Sequence, residues 1–217
     1  FTLFPSAAEP FLSATTKDNL PDHLTLIADK FEDVRLSELF SLPVECIIDA
    51  QSMSESINDF IEKSRFEELP HSFSFLLTCP VIYNCDVARI FVNALNQRIN
   101  LTGDRAAGIH LALHEAIVNG LIHGNLDISS EYRQSARLFM EYGRILSERL
   151  NDPAYARKSL SISAAWDNTK LRLKIRDEGA GYVIRDNFYN RSLSNVKNKT
   201  GRGLLFIAGI ADSCTID

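Results

Sequence analysis

The sequence predicts an α/β protein, and three observations predict it. From Leu24 onward, short apolar runs bounded by turn residues alternate with longer stretches of helical period. Two further runs, 160–166 and 170–177, alternate apolar and polar residues as strands do. Apolar residues fill 45% of the 217 positions and charged ones 24%, a balance that supports a real hydrophobic core at this length.

Charge and composition exclude several classes. The formal net charge is −5 and no run of Lys or Arg forms a track for a phosphate backbone, which argues against direct nucleic-acid binding. No stretch approaches transmembrane length and no basic-then-apolar leader opens the chain, so no membrane association is expected. The chain opens on Phe1 rather than Met, as a fragment or a processed chain would. Cys46, Cys79, Cys85 and Cys214 form no CxxC pair and no metal-finger spacing. They read as reduced and mostly buried, which points to the cytoplasm, with a Cys79–Cys85 disulfide as the alternative.

In chain order, residues 1–20 mix Pro, Ser, Ala and Thr and predict a loop or tether. LTLIAD (24–29) is a short buried strand, FEDVRLSELF (31–40) a helix and VECIID (44–49) a second strand. SMSESINDFIEKSRFEEL (52–69) is a helix with Ser52 as N-cap and Glu55 completing a capping box. This α/β segment, residues 1–70, shows no chemistry; it reads as a partial receiver-like module or a dimerisation segment. ELPHS (68–72) marks the boundary, and residues 71–217 form the second unit.

That unit opens with the strand FSFLLTC (73–79) and a helix near 84–99, with Val87, Ile90, Phe91, Ala94, Leu95 and Ile99 at helical spacing. NLTGD (100–104) breaks it, and Asp104 caps the next helix, whose apolar face is Ile109, Leu113, Ile117 and Leu121. Residues 129–150 form an amphipathic helix, followed by a loop carrying Pro153. The strands 160–166 and 170–177 are joined by the turn DNT. Gly, Asn and Ser crowd 179–203; LLFIAGIAD (204–212) is a helix, and CTID opens one more strand.

Three local signals carry chemistry. In HEAIVNGLIHGN (114–125), Glu115, Asn119 and His123 recur every four residues and share one helix face. An unpaired buried carboxylate is costly, so the stripe is either internally satisfied or faces a ligand. An Asn oxygen can ligate Mg²⁺, and a carboxylate one turn away can deprotonate an attacking hydroxyl or water. In RDEGAGY (176–182), Asp177 ends a strand before Gly179 and Gly181. It can accept a hydrogen bond from the amino group of a base such as adenine, worth roughly 1.5–3 kcal/mol; a plain glycine turn is the alternative. In TGRGLLFIAG (200–209), Gly201 and Gly203 lead into a helix whose N–H groups favour phosphate, with Arg202, Lys197 and Lys199 adding positive charge. The alternative there is a helix start with solvated basic residues.

Together, and in this order, the three signals resemble the GHKL ATPases of gyrase, histidine-kinase and MutL type, which share the Bergerat nucleotide-binding fold. The N box matches Glu115, Asn119 and His123-Gly124; the first glycine box matches Asp177, Gly179 and Gly181; the second matches Gly201, Gly203 and Leu204. The resemblance covers roughly residues 72–217, and within the family it is nearest the anti-sigma-factor serine kinases and their fused signalling relatives. It implies an α/β sandwich with helices on one face of a mixed sheet. It further implies ATP between the N-box helix, the Asp177 turn and a lid at about 183–200. Asn119 would hold Mg²⁺, Glu115 would be the base, Asp177 would read adenine, and the Gly201–Gly203 backbone would cradle phosphate. Gly120 departs from the more usual Ala, 126–159 is longer than the minimal pattern, and the family's last strand is expected beyond Asp217.

Other readings are weaker. HEAIV lacks the second ligand of a metalloprotease HExxH, because Val118 occupies its place. His110 and His114 lie one turn apart but no third metal ligand is indicated. His114-Glu115 lies inside the N-box helix and His71 in a boundary loop, both poor places for a phosphoacceptor. Two functions stay open. One is a protein serine/threonine kinase acting on an anti-sigma-antagonist-like or sigma-factor-like regulatory partner. The other is a nucleotide-gated module that sequesters such a partner with little turnover. A homodimer is an expectation of the resemblance.

Overall fold

The computed structural model describes residues 2–3, 24–28, 31–40, 44–52, 69–133, 136–181, 207 and 209–215. Within them, six strands lie side by side in chain order. Thr2–Leu3 (β1), Leu24–Ala28 (β2), Val44–Asp49 (β3) and His71–Thr78 (β4) run parallel. Ser159–Trp166 (β5) is antiparallel to β4, and Leu171–Arg176 (β6) antiparallel to β5. The sheet is therefore mixed, as the sequence resemblance implies. Its hydrogen-bonded ladder also crosses residue 70, because β3 pairs with β4 through Cys46↔Ser74, Ile47↔Phe75 and Ile48↔Leu76.

The period of two decides what each face buries. Leu26, Ile47, Phe73, Phe75, Leu77, Leu160, Ile162 and Ala164 face the main core under the helices. Ile27, Cys46, Ile48 and Leu76 form a small cluster on the opposite face. Farther along the sheet that opposite face turns polar, and Arg172, Lys174 and Arg176 of β6 are exposed while Leu171, Leu173 and Ile175 pack on the core.

Asp33–Phe40 (α1) packs on Val87–Ile99 (α3), which packs on Gly103–Asn119 (α4). Phe73, Phe75 and Phe91 anchor this layer, with Phe91 stacked on Phe73 at 4.5 Å and edge-on to Phe75 at 4.8 Å. Each ring contributes about 1.5–3 kcal/mol of burial, and the ring contacts add specificity of orientation. Arg98 closes the layer: its guanidinium lies over Phe73, and it donates to Ala94 O (2.8 Å) and Val44 O (3.3 Å).

Several sequence expectations shift in the structure, each for a local reason. The opening residues, expected as a loop, include β1, which is too short for periodicity to reveal. Cys79 leaves the strand and starts Cys79–Asn84 (α2), because Pro80 fixes a helical φ in the first turn. The helix expected near 84–99 starts at Val87 with Asp86 as N-cap, its carboxylate accepting from Arg89 N (3.2 Å). Asn100 ends it in the left-handed region. Asp104 lies inside the first turn of α4, where it suits the helix dipole, and Thr102 holds the cap position. The helix expected over 129–150 is a 3₁₀ turn, Ser130–Arg133, followed by Ala136–Asn151 (α5). The loop with Pro153 is a short helix, Pro153–Ala156 (α6), capped by Asp152 through Ala154 N (2.9 Å). The DNT turn is held by Asp167, whose Oδ1 accepts from Thr169 N and Lys170 N. Cys214 and Thr215, expected in a further strand, lie outside regular structure. The helix expected at 52–69 falls, after Ser52, almost wholly outside the described residues.

Candidate functional site

Helix α4 delivers the polar stripe. Glu115 and Asn119 stand one turn apart, both half-buried, and neither side chain has a hydrogen-bond partner among the described residues. After Asn119 the helix widens into a π-helical turn, Gly120–Asn125, marked by the five-residue bond from Leu126 N to Leu121 O (2.9 Å). Two glycines in six residues make the α-helical path cheap to leave, and such turns recur at functional sites. The strict spacing of four thus holds from Glu115 to Asn119, whereas His123 lies in the wider turn. His123 is exposed, and its Nδ1 donates to Ile128 O (2.6 Å), bracing the exit of the turn. Arg149 of α5 donates to Leu126 O and Asp127 O and fixes that exit from the other side.

The widened turn meets the end of β6 across missing side chains. A Cβ on Gly124 would fall on the Asp177 carboxylate, and one on Gly179 would come within 2.7 Å of Gly124 Cα and O. A Cβ on Gly120 would lie 2.6 Å from the tip of Leu160 and 3.6 Å from Asp177 Oδ2. The Asp177 carboxylate therefore lies directly against the helix backbone. Its Oδ1 accepts from Gly179 N (2.8 Å), while Oδ2 has no donor among the described residues. Gly181 has φ +86° and nothing near its Cβ position, so the chain leaves the turn in a conformation that favours glycine.

A polar cluster that the sequence reading missed ties these pieces together. Asn125, fully buried, accepts from Glu178 N at Oδ1 (2.7 Å) and donates from Nδ2 to Ser159 O (3.0 Å). Glu178 Oε1 accepts from Ser159 N (2.8 Å) and Ser159 Oγ (2.5 Å), and Lys158 Nζ donates to Asn125 O (3.1 Å). Cys79 N and Sγ both reach Lys158 O, at 3.1 and 3.2 Å. Burial pushes the Cys79 thiol up to about 12, against a smaller lowering by the Asn125 side chain. The thiol is an inert donor here, not a nucleophile. The available signal was Asn125 itself, a polar residue closing an apolar helical stretch.

The arrangement brings the N-box positions Gly124 and Asn119 to the same end of the sheet as Asp177 and Gly179. Lys197, Lys199, Gly201, Arg202, Gly203 and Leu204, together with the lid expected at 183–200, lie outside the described residues. Among the described residues no cluster of three His, Cys, Asp or Glu side chains could hold a metal. His110 and His114 have ring centroids 6.3 Å apart and no third ligand. Mg²⁺ takes one or two protein oxygens, completes its shell with phosphate and water, and so needs no such cluster. Asn119 and Glu115 offer such oxygens. In the glycine-lined Asp177 turn, one carboxylate oxygen is held by Gly179 N and the other can accept from a ligand donor. No helix among the described residues is long and apolar enough to cross a membrane.

A search of curated proteins finds no match to the chain. Residues 84–217, more than half of its length and all of the site positions above, match the histidine kinase-like ATPase domain. The chain belongs to that family of ATP-binding, kinase-like domains.

Proposed function

We propose that the protein is an ATP-dependent serine/threonine kinase of anti-sigma-factor type. It transfers the γ-phosphoryl of Mg-ATP to a hydroxyl of a regulatory partner, an anti-sigma-antagonist-like or sigma-factor-like protein, in the bacterial cytoplasm. The observation that carries this reading is the pair Glu115 and Asn119, on successive turns of α4 and with no described side-chain partner. A domain that only binds nucleotide has no need of a carboxylate held at that position.

In this reading Glu115 accepts the proton of the partner's hydroxyl as its oxygen attacks the γ-phosphorus. The bond to the β-phosphate oxygen breaks, and ADP is the leaving group. Mg²⁺, when bound, neutralises phosphate charge, and Asn119 supplies its protein oxygen. Asp177 accepts from the adenine amino group, Gly124 and Gly179 leave room for its carboxylate, and Gly181 carries the chain away from the base. His123 holds the helix exit. The Gly201–Gly203 backbone, Leu204, Lys197, Lys199 and Arg202 serve the phosphates.

Glu115→Gln tests the assignment. Phosphoryl transfer from γ-labelled ATP to a panel of anti-sigma-antagonist-like domains is expected to fall about 100-fold or more, with ATP affinity by calorimetry unchanged. Transfer at the wild-type rate sinks Glu115 as the base. Tight ATP binding with no transfer by the wild type to any of the panel supports the nucleotide-gated sequestering module instead.

A further inference from the structure

We infer that Asn125 and Glu178 are positioning residues that set base selectivity by fixing how the Asp177 carboxylate is presented. The inference rests on the proposed reading of Asp177 as the acceptor for adenine. Asp177 directly follows the last residue of β6, where the sheet ladder no longer constrains it. Four bonds replace that constraint. Glu178 N donates to Asn125 Oδ1, Glu178 Oε1 accepts from Ser159 N and Oγ, and Asn125 Nδ2 donates to Ser159 O. The residue after Asp177 is thereby joined to the end of the π-helical turn and to the start of β5.

The chemistry of Asn125 is specific to this task. Both ends of its amide are used, the oxygen by the Glu178 N–H and the nitrogen by Ser159 O, in a fully buried place. An apolar residue would fill the space but leave two backbone groups unpaired, and an aspartate would lose the donor. The outcome is a carboxylate with defined roles for its oxygens: Oδ1 is held by Gly179 N, and Oδ2 is left without a described donor. Releasing Glu178 lets the turn rotate and moves Oδ2 first. The loss then falls on recognition of the base and spares contacts to phosphate.

The test uses the full chain and calorimetric titration with Mg-ATP and with Mg-ITP, whose base carries an oxygen in place of the amino group. The variants are Glu178→Ala, Glu178→Gln and Asn125→Asp, with Asp177→Asn as reference. Wild type is expected to bind ATP about tenfold or more tightly than ITP, the scale of one charge-assisted hydrogen bond. Glu178→Ala and Asn125→Asp are expected to reduce that ratio to about threefold or less through weaker ATP binding. Persistent ITP binding by each variant shows that it is folded. Glu178→Gln keeps an oxygen for Ser159 and is expected to restore the ratio. Equal weakening of ATP and ITP, or an unchanged ratio in Glu178→Ala, overturns the inference alone, provided Asp177→Asn abolishes discrimination. If wild type does not discriminate, or Asp177→Asn discriminates as well as wild type, the adenine reading itself fails and the inference with it.

Discussion

The Asp177 carboxylate occupies the place where a side chain on Gly124 would begin. Two segments more than fifty residues apart thus touch through that carboxylate, with no side chain on the Gly124 side. This contact makes a substitution at Gly124 different from one at Gly120, although both glycines lie in the same turn.

Gly124→Ala forces the carboxylate or the helix to move. Overpacking of this kind costs about 1–3 kcal/mol of stability, and ATP affinity is expected to fall about tenfold or more as Asp177 shifts. Gly120→Ala crowds the tip of Leu160 at 2.6 Å and reaches Asp177 only at an ordinary contact distance of 3.6 Å. It is expected to change stability by less than about 1 kcal/mol, because alanine's helix preference offsets the crowding. Urea denaturation and ATP calorimetry on both variants check the contrast; equal effects would remove Asp177 as the cause.

Asp86 caps α3 and gives a pH dependence with a definite sign. Burial alone would raise its carboxyl, but the hydrogen bonds from the Arg89 side chain and backbone outweigh it and hold the group below its ordinary value. A carboxyl lowered in the folded state contributes stability above its unfolded pKa of about 3.9. That contribution is lost as pH falls through the lower folded value. Asp86→Asn is expected to be less stable than wild type near pH 7, with the difference closing in acid below about pH 4. Thermal unfolding across pH 2–7 (a range of about five units) measures it. Asp86→Ala is expected to lose about 1 kcal/mol at neutral pH, as a deleted cap does.

Cys46, Cys79 and Cys85 are buried and Cys214 only half so, all four as free thiols. Burial pushes Cys46 and Cys79 each up to about 12, so neither forms thiolate at neutral pH. Iodoacetamide at pH near 8 is expected to label Cys214 first, with the buried three at least about 100-fold slower until denaturant is added. Peptide mass mapping reads the order. Early labelling of Cys79 would mean that its bond to Lys158 O breaks readily.

Cutting the chain before His71 is expected to harm residues 71–217, although they contain the whole candidate site. The cut removes β3 and leaves β4, with Phe73, Phe75 and Leu77, as an open parallel edge. Such an edge invites pairing with another chain. Light scattering of the truncated protein is expected to show association where the full chain stays dispersed at the same concentration. A dispersed, ATP-binding fragment would show that β3 is dispensable.

Much of this was legible because its signals are local. The run at 44–49 is short and mostly apolar, those at 160–166 and 170–177 carry the period of two, and β3, β5 and β6 lie within a residue of them. Asp177 and its glycines announced a turn because glycine spacing reports backbone demands directly. What was missed depends on distance in sequence or on a choice between hydrogen bonds. Asn125 reads as an ordinary residue until Glu178, 53 positions away, comes to it. The π-helical turn has the same residues an α-helix would have; only the bond from Leu126 to Leu121 tells them apart. The pairing of β3 with β4 is likewise set by the sheet as a whole, since nothing in either strand names its neighbour.

The five-residue bond has one last consequence, which concerns counting. A π-helical turn holds one residue more than the α-helical path it replaces. Asn125 ends that turn and meets Glu178 from it. Were the turn to close into regular α-helical form with all its residues kept, every later position would slip by one, bringing Gly124 to where Asn125 had been. The turn thus works as a spacer whose single extra unit keeps two distant stretches of chain in phase.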